Sequence, residues 1–150
     1  MVLQRRRFSP DVLVDSGPLY ALNSPRDQYF TKAQRILKKL QNEKSRLVTT
    51  DYVIDEAVTT LLTTKRGGYH FAMNLLNWIF SPRKTSPQLR IEWITPSRFH
   101  RARVIFRRFN RDKTWSFTDC TSYALMKELK LKKAFTFDEH FTQMGFEVFE

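Results

Sequence analysis

Acidic residues stand at four places in the sequence where an α/β protein builds functional sites. Asp15 directly follows the apolar run DVLV, and Asp138 directly follows AFTF. Asp119 lies near the start of an apolar helical stretch. A further acid, either Asp55 or Glu56, lies in the helix predicted after the run LVTT. Both of these residues flank the apolar stripe of that helix, so helical geometry alone does not choose between them.

Carboxylates that converge on one point need a compensating charge. Two of them about 4 Å apart repel by roughly 4 kcal/mol at an effective dielectric of 20. A hard divalent cation supplies that compensation, and Mg²⁺ or Mn²⁺ suits an all-carboxylate site. Zinc is disfavoured, because Cys120 is the only cysteine and the histidines show no zinc-type pairing. The histidines are interpreted as surface or packing residues; they are His70, His100 and His140.

Each acid also has a purely structural explanation. An Asp after a strand often forms a turn or caps a helix. For Asp15 and for Asp138, each considered alone, this structural role explains the residue as well as a functional role does. Asp119 fits a capping box opened by Ser116, in which the hydroxyl accepts from a backbone N–H and the acid complements the helix dipole. The hydroxyls of Ser116 and Thr118 are interpreted as helix caps, and support of a site is the alternative.

Short β-rich runs alternate with helical patterns along the chain, and they would position these acids. Strands are predicted over residues 11–14, 47–50, 91–95, 134–137 and 146–149. Helices are predicted over residues 28–40, 52–64, 71–80 and 96–109 and around Asp119. Asp51 is the predicted N-cap of the helix over 52–64, and residues 81–87 are predicted to form a polar loop. Connections too long for hairpins indicate an α/β fold with a parallel sheet covered on both faces. In such a sheet the carboxyl ends of the strands share one edge, which all four acids can reach.

The composition indicates one domain with a basic surface. The 150 residues, 41% of them hydrophobic, suffice for a single domain over residues 11–150, preceded by a basic tail at 1–10. No stretch is apolar and long enough for a signal peptide or a membrane span, and the lone cysteine fits a reducing, cytoplasmic setting. The net charge of +11 favours a nucleic-acid partner, with a solvated surface or an acidic protein partner as the alternatives.

The four acidic motifs, taken in order, resemble those of the PIN-domain ribonucleases, and in particular the VapC-like toxins of toxin–antitoxin pairs. The motifs are VLVDSGPLYAL, LVTTDYVIDEAVTTLL, WSFTDCTSYAL and AFTFDEHFTQMGFEVF. The similarity spans residues 11–149, and its departures are Ser16, where threonine is usual, and the variant first turn Gly17-Pro18. The basic run from Arg98 to Lys113 lies outside the motifs, so the resemblance does not say what it binds.

The resemblance implies a fold, an activity and partners. It implies a three-layer α/β/α fold with strand order 3-2-1-4-5, and it selects Glu56 over Asp55. It further implies a metal-dependent endoribonuclease in which one or two Mg²⁺ or Mn²⁺ ions are held by four acids, Asp15, Glu56, Asp119 and Asp138. A homodimer and a cognate antitoxin protein are the implied protein partners.

Three other functions fit the same residues. The first is a catalytically inactive RNA-binding module, which would bind RNA with a steep salt dependence and cut nothing. The second is a structure-specific DNA nuclease with the same carboxylate site. The third is a receiver-like domain that accepts a phosphoryl group on Asp15.

Overall fold

The computed structural model describes residues 11–81 and 89–150. The predicted tail of residues 1–10 and nearly all of the predicted loop over 81–87 lie outside these ranges. The strands are β1 (Asp11–Val14), β2 (Arg46–Thr50), β3 (Leu89–Glu92), β4 (Lys133–Phe135) and β5 (Glu147–Val148). The helices are α1 (Ser16–Asn23), α2 (Phe30–Asn42), α3 (Asp51–Leu62), α4 (Gly68–Phe80), α5 (Pro96–Phe109), α6 (Phe117–Leu129) and α7 (His140–Gln143).

The five strands form one parallel sheet in the order β3-β2-β1-β4-β5. This confirms the predicted α/β fold and the strand order 3-2-1-4-5. It also disfavours a receiver-like domain, because flavodoxin-like sheets have the order 2-1-3-4-5. Among the described residues, no helix is long and apolar enough to cross a membrane.

Alternation along the central strand places one hydrophobic core on each face of the sheet. Val12 and Val14 point into a core shared with α1, α2, α3 and α4. Leu13, between them, points into a second core shared with α5, α6 and the short α7. Successive side chains of a strand face opposite ways, so a strand covered on both faces is apolar throughout. The run DVLV has this composition, and the three apolar residues are fully buried.

Several element boundaries differ from the prediction, and each difference has a local cause. Thr50, rather than Asp51, caps α3, because its hydroxyl accepts from the backbone N–H of Val53 at 3.1 Å. The Asp51 carboxylate instead accepts from the backbone N–H of Ile94 at 2.8 Å, which ties α3 to the end of β3. The strand β3 therefore ends before Thr95, whose side chain caps α5.

The helix α1 was not predicted from periodicity, although the family resemblance implied an apolar helix there. It begins at Ser16, directly after Asp15. Pro18 lies in its first turn, where the missing N–H of proline costs no intrahelical hydrogen bond. The dipeptide Gly17-Pro18 thus lies inside the helix, and the strand has already ended at Val14.

Candidate metal centre

Asp15 lies at the carboxyl end of β1, against the neighbouring strand β4. Its backbone N–H donates to the carbonyl of Phe135 at 3.0 Å, and its side chain is only 6% exposed. One carboxylate oxygen, Oδ2, accepts from the hydroxyl of Thr136 at 2.7 Å. Contacts with and directly after β4 therefore fix the position of this acid, and no lysine or arginine among the described residues forms an ion pair with it.

Burial raises the pKa of the Asp15 carboxyl from 3.8 to about 7. The hydrogen bonds from Thr136 and from the backbone of Ser16 oppose this shift, and the negative charges of Asp119 and Glu56 add to it. These two other acids are thus close enough to Asp15 to repel its charge. Three of the four predicted site residues share one electrostatic environment.

Glu56 lies on α3 and faces the residue that follows Asp15. The Ser16 hydroxyl donates to Glu56 Oε1 at 2.8 Å, which joins the start of α1 to the middle of α3. Asp55 and Glu56 are both exposed side chains. Only Glu56 has this contact with α1 among the described residues, so the structure brings Glu56 toward Asp15.

Asp119 forms the predicted capping box and also faces the site. Its backbone N–H donates to the Ser116 hydroxyl at 3.0 Å, and its Oδ2 accepts from the backbone N–H of Ser116 at 3.1 Å. The same Oδ2 contacts His140 Nδ1 at 2.8 Å, and the residue is 7% exposed. The structural role and the site position proposed for this acid are therefore compatible.

Asp138 follows β4 and is half-buried. Its backbone N–H donates to the Thr136 hydroxyl at 3.0 Å, and this is the hydroxyl that donates to Asp15. Its Oδ1 accepts from the backbone N–H of His140 at 2.9 Å. Thr136 thus sets the spacing between the Asp15 carboxylate and the loop that carries Asp138.

His140 belongs to this cluster, contrary to its interpretation as a surface or packing residue. Nδ1 lies 2.8 Å from Asp119 Oδ2 and 3.4 Å from Asp138 Oδ2. One potential ligand atom from each of Asp119, Asp138 and His140 lies within 4.8 Å of the other two. The sequence signal was weak, since His140 follows Asp138 by two positions but Asp119 is 21 positions away.

Charge also links the histidine to the two acids. Burial lowers the pKa of His140, but the hydrogen bond with Asp119 and the negative charges of Asp138 and Asp119 outweigh burial and raise that pKa. In its protonated form the imidazole compensates part of the negative charge on this side of the site. Among the described residues, the side-chain partners of Asp15 and Glu56, on the other side, are the hydroxyls of Thr136 and Ser16.

Asp15 and Asp138 border an open cleft of about 450 Å³ at the carboxyl edge of the sheet, and its other lining residues are Ser16, Gly17, Phe137 and Glu139. Within residues 11–81 and 89–150, no lysine or arginine forms an ion pair with any of the four predicted acids. Carboxylate oxygens are the ligands that suit Mg²⁺ or Mn²⁺. The residues present thus fit a divalent cation of that kind.

Comparisons with known proteins identify the family and the fold. The family model for the PIN domain matches residues 12–147. The fold is similar to that of VapC20 from Mycobacterium tuberculosis, a sarcin–ricin-loop-cleaving toxin, with 24% identity, a TM-score of 0.76 and coverage of 90% of this chain and 95% of that chain. A comparison with curated proteins finds no match.

Two further solved structures share the fold. FitAcB from Neisseria gonorrhoeae has 16% identity and a TM-score of 0.61, with 93% of this chain and 96% of that chain covered. VapBC2 from Rickettsia felis, bound to a DNA fragment from its promoter, has 9% identity and a TM-score of 0.64 over 93% of this chain and 97% of that chain. At these identities the likeness concerns the fold.

Proposed function

The chain belongs to the PIN-domain family, and from that premise we propose that it is a metal-dependent endoribonuclease that acts as the toxin of a toxin–antitoxin pair. The observation that carries the proposal is a set of converging carboxylates with no lysine or arginine partner among the described residues. Such a set is costly to assemble unless a cation joins it. The hydrogen bonds of Asp15 offset the burial of its charge only in part, since its pKa is still raised to about 7.

In the proposed mechanism four acids would hold one or two Mg²⁺ or Mn²⁺ ions, namely Asp15, Glu56, Asp119 and Asp138. When bound, these ions would supply a lowered pKa for a water positioned for in-line attack on the phosphodiester and charge stabilisation for the leaving oxygen. Thr136 holds the Asp15 carboxylate and the Asp138 backbone at a fixed distance from each other, because its hydroxyl is hydrogen-bonded to both. Ser16 orients Glu56, and His140 orients Asp119.

RNA is the proposed substrate because the rest of the molecule is strongly basic. The net charge is +11 although the proposed centre is acidic, so the surface around it attracts a polyanion. We propose an antitoxin protein that occludes the cleft and a homodimeric assembly on the basis of the family resemblance. A cytoplasmic setting fits the free, buried Cys120.

Cleavage of RNA oligonucleotides with Mg²⁺, with Mn²⁺ and with a chelator tests the proposal. Asp15→Asn, Glu56→Gln, Asp119→Asn and Asp138→Asn should each reduce cleavage by about 100-fold or more, which exceeds the effect typical of residues outside the first ligand shell. Asp55→Asn is the matched control on the same helix and should cut within about twofold of the wild type. Circular dichroism establishes that each variant is folded.

Three outcomes would contradict the proposal. Folded acid variants that cut RNA at the wild-type rate would remove the carboxylates from the mechanism. Cleavage of matched DNA but not RNA would indicate the DNA nuclease. Binding of RNA without cleavage at any metal concentration would indicate the inactive binding module.

A further inference from the structure

The helix α5 presents aromatic and basic side chains to solvent along one stripe. Phe99, Arg103, Phe106 and Arg107 follow one another at helical spacing, and we name these four residues the α5 face. The rings of Phe99 and Phe106 are 37% and 42% exposed. Ala102 is buried in this helix, and Ile105 and Phe109 pack against the second core, but Phe99 and Phe106 belong to neither core.

Aromatic contacts connect the α5 face to the candidate metal centre. The ring of Phe117 lies 5.0 Å from that of Phe99 and 6.2 Å from that of Phe106, measured between centroids. Tyr52 lies 6.3 Å from Phe117 on its other side. Phe117 precedes Asp119 by two residues, and Tyr52 precedes Glu56 by one helical turn. A ligand lying on the α5 face would therefore reach the acids along a continuous aromatic surface.

The arginines of α5 divide into two groups. Arg98 and Arg101 form ion pairs with Glu128, and Arg98 also pairs with Glu92. Arg103 contacts His100 at 3.0 Å, and neither it nor Arg107 forms an ion pair with an acid among the described residues. Two arginines of the α5 face thus keep positive charges that structural ion pairs do not use.

We propose that the α5 face binds a single-stranded segment of the RNA substrate, with bases stacked on Phe99 and Phe106 and phosphates at Arg103 and Arg107. Aromatic rings and arginines on one surface are the combination that binds unpaired nucleotides, because every base has a face that stacks. A second copy of the chain fits less well, since a two-fold contact through this face would bring the same positive charges together. The inference rests on the proposed function and names the surface that leads the strand to the acids.

Fluorescence anisotropy with a labelled single-stranded RNA oligonucleotide, in chelator, tests the stacking residues. The double substitution Phe99→Leu and Phe106→Leu keeps apolar volume against Phe117 but removes the aromatic rings. We expect about tenfold weaker binding or more. Tyr69→Leu is the matched control, since Tyr69 is 72% exposed on α4, and it should bind within about twofold of the wild type.

The dependence of affinity on salt tests the arginines separately. Substituting both Arg103 and Arg107 by Gln should reduce the slope of log affinity against log salt by about 1.4, because each phosphate contact contributes about 0.7 for a single strand. Replacing two exposed basic residues of α2, Arg35 and Lys38, by Gln removes the same charge and should change the slope less. The phenylalanine variants should leave the slope unchanged.

Two results would overturn the inference. One is wild-type RNA affinity in the folded phenylalanine variants. The other is a dimer that these substitutions convert to monomer in analytical ultracentrifugation, since a second copy would then cover the α5 face. Binding is measured without metal, so its outcome is separate from that of cleavage. Suppose that the wild type binds RNA without ever cutting it and that the phenylalanine variants lose this binding. This inference would then stand, and the proposed nuclease activity would be wrong.

Discussion

Two groups of acids in this protein compensate their charge in different ways. Glu128 on α6 accepts from Arg98 Nε at 2.7 Å and from Arg101 Nη2 at 2.6 Å. Asp15, at the carboxyl edge of the sheet, has a hydroxyl as its only side-chain hydrogen-bond partner among the described residues. The hydrogen bond with Arg98 lowers the pKa of Glu128, whereas burial raises the pKa of Asp15.

The contrast separates acids that stabilise the fold from acids that we propose hold a metal ion. The chain has 26 lysines and arginines, so cations for every acid are available. Arginines nevertheless pair with Asp11, Glu92 and Glu128, and they do not reach the cleft within the described residues. The acids of the candidate site therefore lack lysine and arginine partners among the described residues because of where the chain places those cations, and not because the protein has too few of them.

Among the described residues, His140 is the one cation-forming side chain in contact with the predicted acids, and replacing it gives the largest effect expected for this comparison. His140→Gln removes the group that orients Asp119, and such partners typically contribute 10- to 100-fold to metal affinity. We expect Mn²⁺ to bind about 10- to 100-fold more weakly, as measured by calorimetry. His70→Gln, an exposed histidine on α4, is the control. Unchanged or tighter Mn²⁺ binding would show that the cleft acids need no such support.

Removing the buried charge of Asp15 should stabilise the metal-free protein at alkaline pH. The folded-state pKa of about 7 exceeds the ordinary value of 3.8, so the free energy of unfolding falls as pH rises between these values and stays low above pH 7. Asp15→Asn should gain about 2 kcal/mol, and no more than about 4 kcal/mol, at pH 8. Near pH 4 the gain should almost vanish.

Urea denaturation in chelator at both pH values measures this difference. Lower stability of the asparagine variant at pH 8 would mean that the carboxylate is well compensated without a cation. In that case the contrast between the two groups of acids would be lost.

Replacing Glu128 should have the opposite and smallest effect. Its pKa is lowered in the folded state, so its contribution to stability is present at neutral pH and is lost as pH falls through the folded pKa. Glu128→Gln should destabilise the protein by about 0.5–1 kcal/mol at pH 7, since the pair is partly exposed. RNA cleavage should remain within about twofold of the wild type. A large loss of cleavage would instead couple the arginine network to the cleft.

Patterns within single elements explain why much of the fold follows from the sequence. The run DVLV is apolar on both faces, so it predicts a buried parallel strand, and Ser116 with Asp119 predicts a capping box that the structure confirms. Asp51 was wrongly predicted as the cap of α3, because Thr50 competes for the same backbone N–H. Local rules rank both residues as good caps and do not include the contact of Asp51 with Ile94.

The sequence by itself indicated most of the strands and helices, though periodicity missed α1 and α7, and the motif resemblance assigned four acids to one sheet edge. Tertiary structure alone decided which neighbours they meet. The contact of Glu56 with Ser16 spans 40 positions, that of Thr136 with Asp15 spans 121, and that of His140 with Asp119 spans 21. Hydrogen bonds and charge repulsion depend on the distance between side chains in space. Periodicity along the chain predicts single elements, but these distances follow only from the order in which the strands assemble into the sheet.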